Sequence, residues 1–225
     1  HIITISNFVK NDLIKFTGVN PEKITVTLES ADELPKGNEP VDELIGKKFI
    51  MYIGRPTPHK NLRRLIDAFA LLQKKYPDLT LALAGKKDSN YARHETYVNE
   101  HGIKNVVFTG FISDEQLRWM YENTAVYCFH SLSEGFGLPG LEAMLHGAPV
   151  ASSTATCLPE THGDAARYFD PFSVEDIAKS IDDILSDDKL RNELVKKGKK
   201  HVKTFSWRRM AEQTLAVYEK YGRKS

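Results

Sequence analysis

The sequence predicts an α/β domain built on a doubly wound parallel sheet, and three observations carry that expectation. Short apolar runs alternate with segments of helical periodicity along most of the 225 residues. Runs such as FIMYI (49–53) and LTLALA (79–84) are apolar at consecutive positions, which suits strands buried on both faces. Several runs end in glycine, at Gly54, Gly85 and Gly110, where ligand-binding loops leave the carboxyl ends of such strands.

In chain order, IITIS (2–6) reads as a strand, and Ser6 and Asn7 offer a cap to the helix FVKNDLIKF. KITVTLE (23–29) is a second strand. Residues 31–46 are polar, with Pro, Gly and acids, and read as a linker. The main domain, 47–205, opens with KFIMYIG. A helix follows with Leu62, Leu65, Ile66, Phe69 and Leu72 on one face and Pro77 beyond it. LTLALAG is a strand, a polar helical stretch follows it, and NVVFTG (105–110) is the next strand. Ser113 can cap DEQLRWMYEN. AVYCFH (125–130), APVASS (148–153) and AARYFD (165–170) are strands, with LEAMLHG a short helix among them. Helices over about 173–185, 187–204 and 206–222 finish the chain. The first strand begins almost at His1, which predicts that the chain is part of a longer polypeptide.

Composition excludes several classes. With 31 basic and 30 acidic residues the formal charge is +1, so no general attraction to nucleic acid is expected. No apolar run reaches the ~20 residues of a membrane helix. Cys128 and Cys157 lack CxxC spacing, which argues against a zinc site or a disulfide scaffold and favours a reducing cytoplasm. The eight histidines show no HxxxH or HExxH spacing, so no metal site is expected. The basic run KKGKKHVK (196–203) reads as a solvated helix face before membrane or nucleic-acid contact.

Two segments can carry chemistry. In SLSEGFGLPGLEAMLHG (131–147), Gly135, Gly137 and Gly140 permit close backbone approach, and Pro139 suits the first helical position. Free N–H groups from Phe136 to Leu141, Leu138 among them, would then face a phosphate. Glu134 precedes this loop and Glu142 is read into the first turn after it. A carboxylate beside a phosphate is unfavourable unless it serves another part of the ligand, and its two oxygens suit vicinal hydroxyls. On that reading Glu142 holds a ribose diol and Glu134 a sugar. The alternative, a plain turn with Glu142 favouring the helix N-terminus, stays open. In GRPTPHKN (54–61), Arg55 and Lys60 can offset a diphosphate, or are two solvated cations. The backbone at Phe111 and Ile112 can face a flat base, or simply pack. His59 and His130 stand near the same edge without an assigned role.

These residues resemble the retaining GT-B glycosyltransferase family GT4. Glu134 and Glu142 are spaced as its E-x7-E signature, and Arg55 and Lys60 match its R-x4-K pair. SNFVKNDLI is similar to its S-x-x-x-K segment, and LPETHGDAARYFDP to its LPE-x-x-GDAA-x-x-F-DP stretch. The resemblance implies a Rossmann-like C-terminal lobe of a GT-B fold. Residues 1–30 would end the N-terminal lobe, and 206–225 would form a helix returning toward it. It implies Glu134, Arg55 and Lys60 as catalytic residues. Glu142, Gly54, Gly85, Phe111, Ile112, Gly135, Phe136, Gly137 and Leu138 would bind the donor. The expected activity is hexose transfer, with mannose favoured, from GDP-mannose or another sugar nucleotide to a glycan or lipid-linked acceptor. No metal or other cofactor is expected, because cations and helix N–H groups neutralise the diphosphate. The expected placement is cytoplasmic, with peripheral contact at the inner face of the membrane open. A catalytically silent nucleotide-sugar-binding or scaffolding lobe is the alternative. Two departures stand out: Asn61 replaces the Gly often found after the lysine, and Glu29-Ser30-Ala31-Asp32 replaces the usual N-G-V-D.

Overall fold

A computed structural model describes residues 1–37 and 39–222. Residue 38 of the linker and residues 223–225 of the expected closing segment lie outside the described residues. The chain begins with β1 (Ile2–Thr4), α1 (Asn7–Thr17) and β2 (Ile24–Val26), and β1 and β2 form a two-stranded parallel sheet. Then come β3 (Phe49–Ile53), α2 (Leu62–Leu72), β4 (Thr80–Ala84), α3 (Ser89–Glu100), β5 (Val106–Gly110) and α4 (Asp114–Asn123). The second half supplies β6 (Val126–Phe129), α5 (Leu138–Leu145), β7 (Val150–Ser153), α6 (Leu158–His162) and β8 (Ala166–Phe169). It ends with α7 (Val174–Ser186), α8 (Asp188–His201) and α9 (Trp207–Tyr221).

The main sheet has six parallel strands in the order β5-β4-β3-β6-β7-β8. The doubly wound fold expected from the apolar runs is therefore present. The chain builds outward from β3 in one direction, then returns to build outward from β6 in the other, so the order reverses between β3 and β6. The two-sided runs divide by residue parity. Ile50, Tyr52, Leu81 and Leu83 pack with the apolar face of α2 and with α7, while Phe49, Met51, Ala82 and Ala84 pack with α4 and α5. All five α2 residues picked out by periodicity are buried.

Three local readings need correction. The polar segment 31–46 is not merely a linker, because Val41 and Leu44 sink into the core around a short 3-10 turn, Asp42–Leu44. The helix α6 has no counterpart in the sequence reading. Pro139 is the second residue of α5, after Leu138, with Gly137 (φ 104°) as N-cap.

Candidate active site

In a doubly wound sheet the ligand crevice lies at the carboxyl ends of the strands where the order reverses. Here that places the loop after β3 (54–61) against the loop after β6 (130–137). They are joined directly. The Leu132 N–H donates to the His59 carbonyl at 2.7 Å, and Asn61 Nδ2 donates to the carbonyls of His130 (3.0 Å) and Pro171 (2.8 Å). Asn61 has φ 60°, a left-handed conformation that Gly and Asn adopt more readily than other residues. That geometry accounts for the departure at this position, and the amide adds a buried clamp that glycine lacks.

The turn delivers Lys60 to Glu134. Nζ donates to Oε1 at 2.6 Å, with the two side chains only 23% and 13% exposed. Arg55 is 73% exposed and pairs with Asp88 at 3.0 Å. Burial raises the Asp88 carboxyl, but the N–H groups of Tyr91 and Asn90 and the Arg55 guanidinium outweigh it and hold the carboxyl below its ordinary value. Asp88 is thereby the N-cap of α3 as well as the partner of Arg55. On the β4 side of the turn after β3, the floor is bare backbone. Gly54 and Gly85 have φ of 144° and 151°, and a Cβ on Gly85 would stand 2.6 Å from the Gly54 carbonyl oxygen. Above that floor a cavity of about 320 Å³ is lined by Gly54, Arg55, Gly85, Phe111 and Ile112, with the Phe111 ring 84% exposed at its rim.

The glycine-rich loop is braced from three sides. Ser6 Oγ caps α1 by accepting from the Val9 N–H (3.2 Å) and donates to the Gly135 carbonyl (2.7 Å). The Glu134 N–H donates to Thr156 Oγ1 at 3.0 Å. The buried His162 lies under the start of α5, with Nε2 3.3 Å from the Gly137 carbonyl and Nδ1 3.0 Å from Ser152 Oγ. Among the described residues, no partner takes the N–H groups of Gly135, Phe136, Gly137 or Leu138. The run of free donors expected over 136–141 is interrupted there. Pro139 has no N–H, and the Gly140 N–H donates to the Gly137 carbonyl at 3.0 Å. Phe136 contributes only backbone, since its ring is buried against Phe205.

Glu142 lies in the second turn of α5, and no acid occupies the first turn, so a role in complementing the helix N-terminus is not supported. It is half-buried beside the Tyr121 hydroxyl (3.4 Å). Burial pushes its carboxyl above the ordinary range, Asp114 and Asp32 add to the shift, and the Tyr121 hydroxyl opposes it. Glu142 makes no hydrogen bond or ion pair with Lys60 or Arg55 among the described residues. Of the other expected residues, Lys60 meets Glu134, while Gly54, Arg55, Gly85, Phe111 and Ile112 share one cavity. Sequence reasoning missed Asp88 and His162. Asp88 had a signal, an acid directly before a helix. His162 had none, because its partners come from other elements.

The tight fit under α5 gives a direct test. A Cβ on Gly140 would collide with the His162 ring, so the ring must leave its two hydrogen-bond partners. Gly140→Ala is expected to destabilise the chain by about 1–3 kcal/mol in urea unfolding.

Reversal of strand order, a glycine floor and a part-buried cation–acid pair mark a lobe of the doubly wound class with a crevice at its switch point. The chain belongs to the glycosyl transferases group 1 family, whose model matches residues 37–201. It is 32% identical to the O-antigen chain mannosyltransferase B of Escherichia coli, over 97% of this chain and 60% of that protein. It is also 32% identical to the MMP alpha-(1->4)-mannosyltransferase of Mycolicibacterium hassiacum, over 97% of this chain and 54% of that protein. Sucrose-phosphate synthase from Thermosynechococcus elongatus superposes with a TM-score of 0.81 at 25% identity, covering 97% of this chain and 57% of that one. The chain thus spans little more than half the length of these relatives. The solved neighbours are GT-B glycosyltransferases, and the chain corresponds to the C-terminal half of that fold.

Proposed function

We propose that this chain is the donor-binding part of a retaining glycosyltransferase that moves a hexose, mannose first among the choices, from a sugar nucleotide to a hydroxyl. The acceptor would be a glycan or a lipid-linked sugar, held mainly by the part of the fold that the relatives have and this chain does not. The single observation behind the reading is the Lys60–Glu134 pair at the switch point, beside the free N–H groups at the start of α5. A diphosphate there would accept from Lys60, from Arg55 after it leaves Asp88, and from the Gly135–Leu138 backbone. The Lys60–Glu134 contact would then place a carboxylate next to the sugar. The base would lie over Gly54 and Gly85 against Phe111 and Ile112, and Glu142 would hold the ribose.

Such a clamp stabilises negative charge on the departing nucleotide, which is the electrostatic part of catalysis. Retention would come from front-face departure and attack through an oxocarbenium-like state. Because these donors already neutralise the diphosphate, no metal is needed in this scheme. Among the described residues, no helix is long and apolar enough to cross a membrane. A cytoplasmic protein with peripheral membrane contact is the reading in keeping with a lipid-linked acceptor.

Calorimetric titration with GDP, UDP and ADP tests the proposal, with one nucleotide expected to be preferred. Glu142→Ala should weaken that nucleoside diphosphate by about tenfold, the loss of one charged hydrogen-bond acceptor. Glu134→Ala should weaken the intact sugar nucleotide more than the diphosphate. No heat with any nucleotide, or unchanged affinity in both variants, would remove the assignment. Sugar release from the donor by the whole protein separates an enzyme from a silent binding lobe.

A further inference from the structure

Behind the Lys60 turn lies a second cleft that the donor reading leaves unused. It has a volume of about 320 Å³ and opens between the turn itself, the first turn of α2 and the first half of α3. That is at the lower end of the range for small-molecule sites. Its wall carries Arg63, Arg64, Arg93 and His94, and no carboxylate lines it. Arg63 is already committed, lying over the Tyr97 ring and 3.4 Å from Asp67. Arg64 is held in place but not neutralised. Its Nη1 donates to Asn61 Oδ1 at 2.8 Å and its guanidinium lies 5.5 Å from the centre of the Phe172 ring. Neither Arg64 nor Arg93 makes an ion pair among the described residues.

The first turn of α2 adds charge of the same sign. Its N-cap Asn61 makes no side-chain cap bond, because that amide is used on His130, Pro171 and Arg64, and no acid occupies the turn. Guanidinium forks match the geometry of phosphate oxygens and are weakly hydrated, so they release water readily to an oxyanion. A concave wall with two unpaired guanidinium groups, one of them oriented by its neighbours, and no acid is therefore built for a compact anion. We infer that this cleft binds a phosphate-type oxyanion, carried by a soluble phosphomonoester, with Arg64 and Arg93 as its clamp. The site is distinct from the donor crevice, although the two lie on opposite sides of one turn.

Calorimetric titration of the full chain with inorganic phosphate, and separately with a hexose 6-phosphate, tests this at constant ionic strength in chloride. Saturable binding is expected, tighter for the hexose phosphate. The double variant Arg64→Gln, Arg93→Gln should lose affinity by about tenfold or more, the effect of removing charged donors. Arg93→Gln alone, on an exposed position of α3, should move in the same direction and covers the case of a double variant that fails to fold. Lys60→Met should leave this binding unchanged. No saturation with either probe overturns the proposal, as does a folded Arg93→Gln protein that binds like the parent. Loss confined to Lys60→Met also overturns it, because the anion then sits in the donor crevice.

Discussion

Replacing Lys60 with methionine is expected to weaken nucleoside diphosphate binding by roughly 10–100-fold, the loss of one or two charged hydrogen bonds. Methionine keeps most of the apolar stem and removes only the ammonium. Two consequences follow from the geometry. The diphosphate loses a donor that the turn after β3 holds in place through Asn61. Glu134, 13% exposed and 2.6 Å from Nζ, is left without its counter-ion, at about 1–3 kcal/mol of stability. The carboxylate would then repel the incoming phosphate as well. In the whole protein, transfer should fall by about 10²–10³-fold, the usual effect of deleting one donor aimed at developing charge. Lys60→Arg should recover only part of this, since a planar fork does not occupy the place of a compact ammonium. Calorimetry with the preferred nucleotide checks the first effect and thermal melting the second. Unchanged affinity in a folded Lys60→Met protein would dissociate the ion pair from the donor site.

How much of this was legible in the sequence depends on how local each feature is. FIMYI and TLALA declare themselves because both faces are buried and no polar residue interrupts them. The α2 face is legible because five apolar residues share one stripe. The helix LPETH is opaque, being five residues long, beginning near a proline and lacking a side-chain cap. Val41 and Leu44 are likewise hidden, since two isolated apolar residues in a polar stretch make no period. In the site, the glycines and acids of the loop after β6 stand out by composition. The meeting of Lys60 with Glu134 does not, for the two are 74 residues apart and only the crossover to β6 brings them together. Asn61 carried a signal of the wrong apparent kind. It looked like a lost glycine, whereas it keeps the left-handed turn and adds three side-chain bonds.

Acid is expected to begin destabilising this chain below about pH 6.5, above the range in which carboxylates titrate. Two fully buried histidines, His130 and His162, are the cause. Burial pushes His162 down to about 4, with His201 adding to the shift and the Gly137 carbonyl opposing it. Burial pushes His130 down to about 3, the cations at Lys60 and His94 adding to the shift and the Cys128 carbonyl opposing it. Unfolded, each would protonate near 6.5. Between those values the unfolded chain holds more protons than the folded one, so stability falls as pH falls. The contribution is complete above about 6.5 and is lost progressively down to the folded values. At pH 5 the loss is ~2 kcal/mol for each histidine and ~4 kcal/mol together. That is a large share of the ~5–15 kcal/mol typical of a domain. His94 and His146, both lowered first by burial, act in the same direction. The raised carboxyl of Glu142 acts in the opposite one, but only as pH nears its own titration. Urea unfolding at pH 7.5, 6 and 5 should show the midpoint dropping steeply. His162→Gln should flatten the slope. A slope set by exposed carboxylates would ignore that substitution.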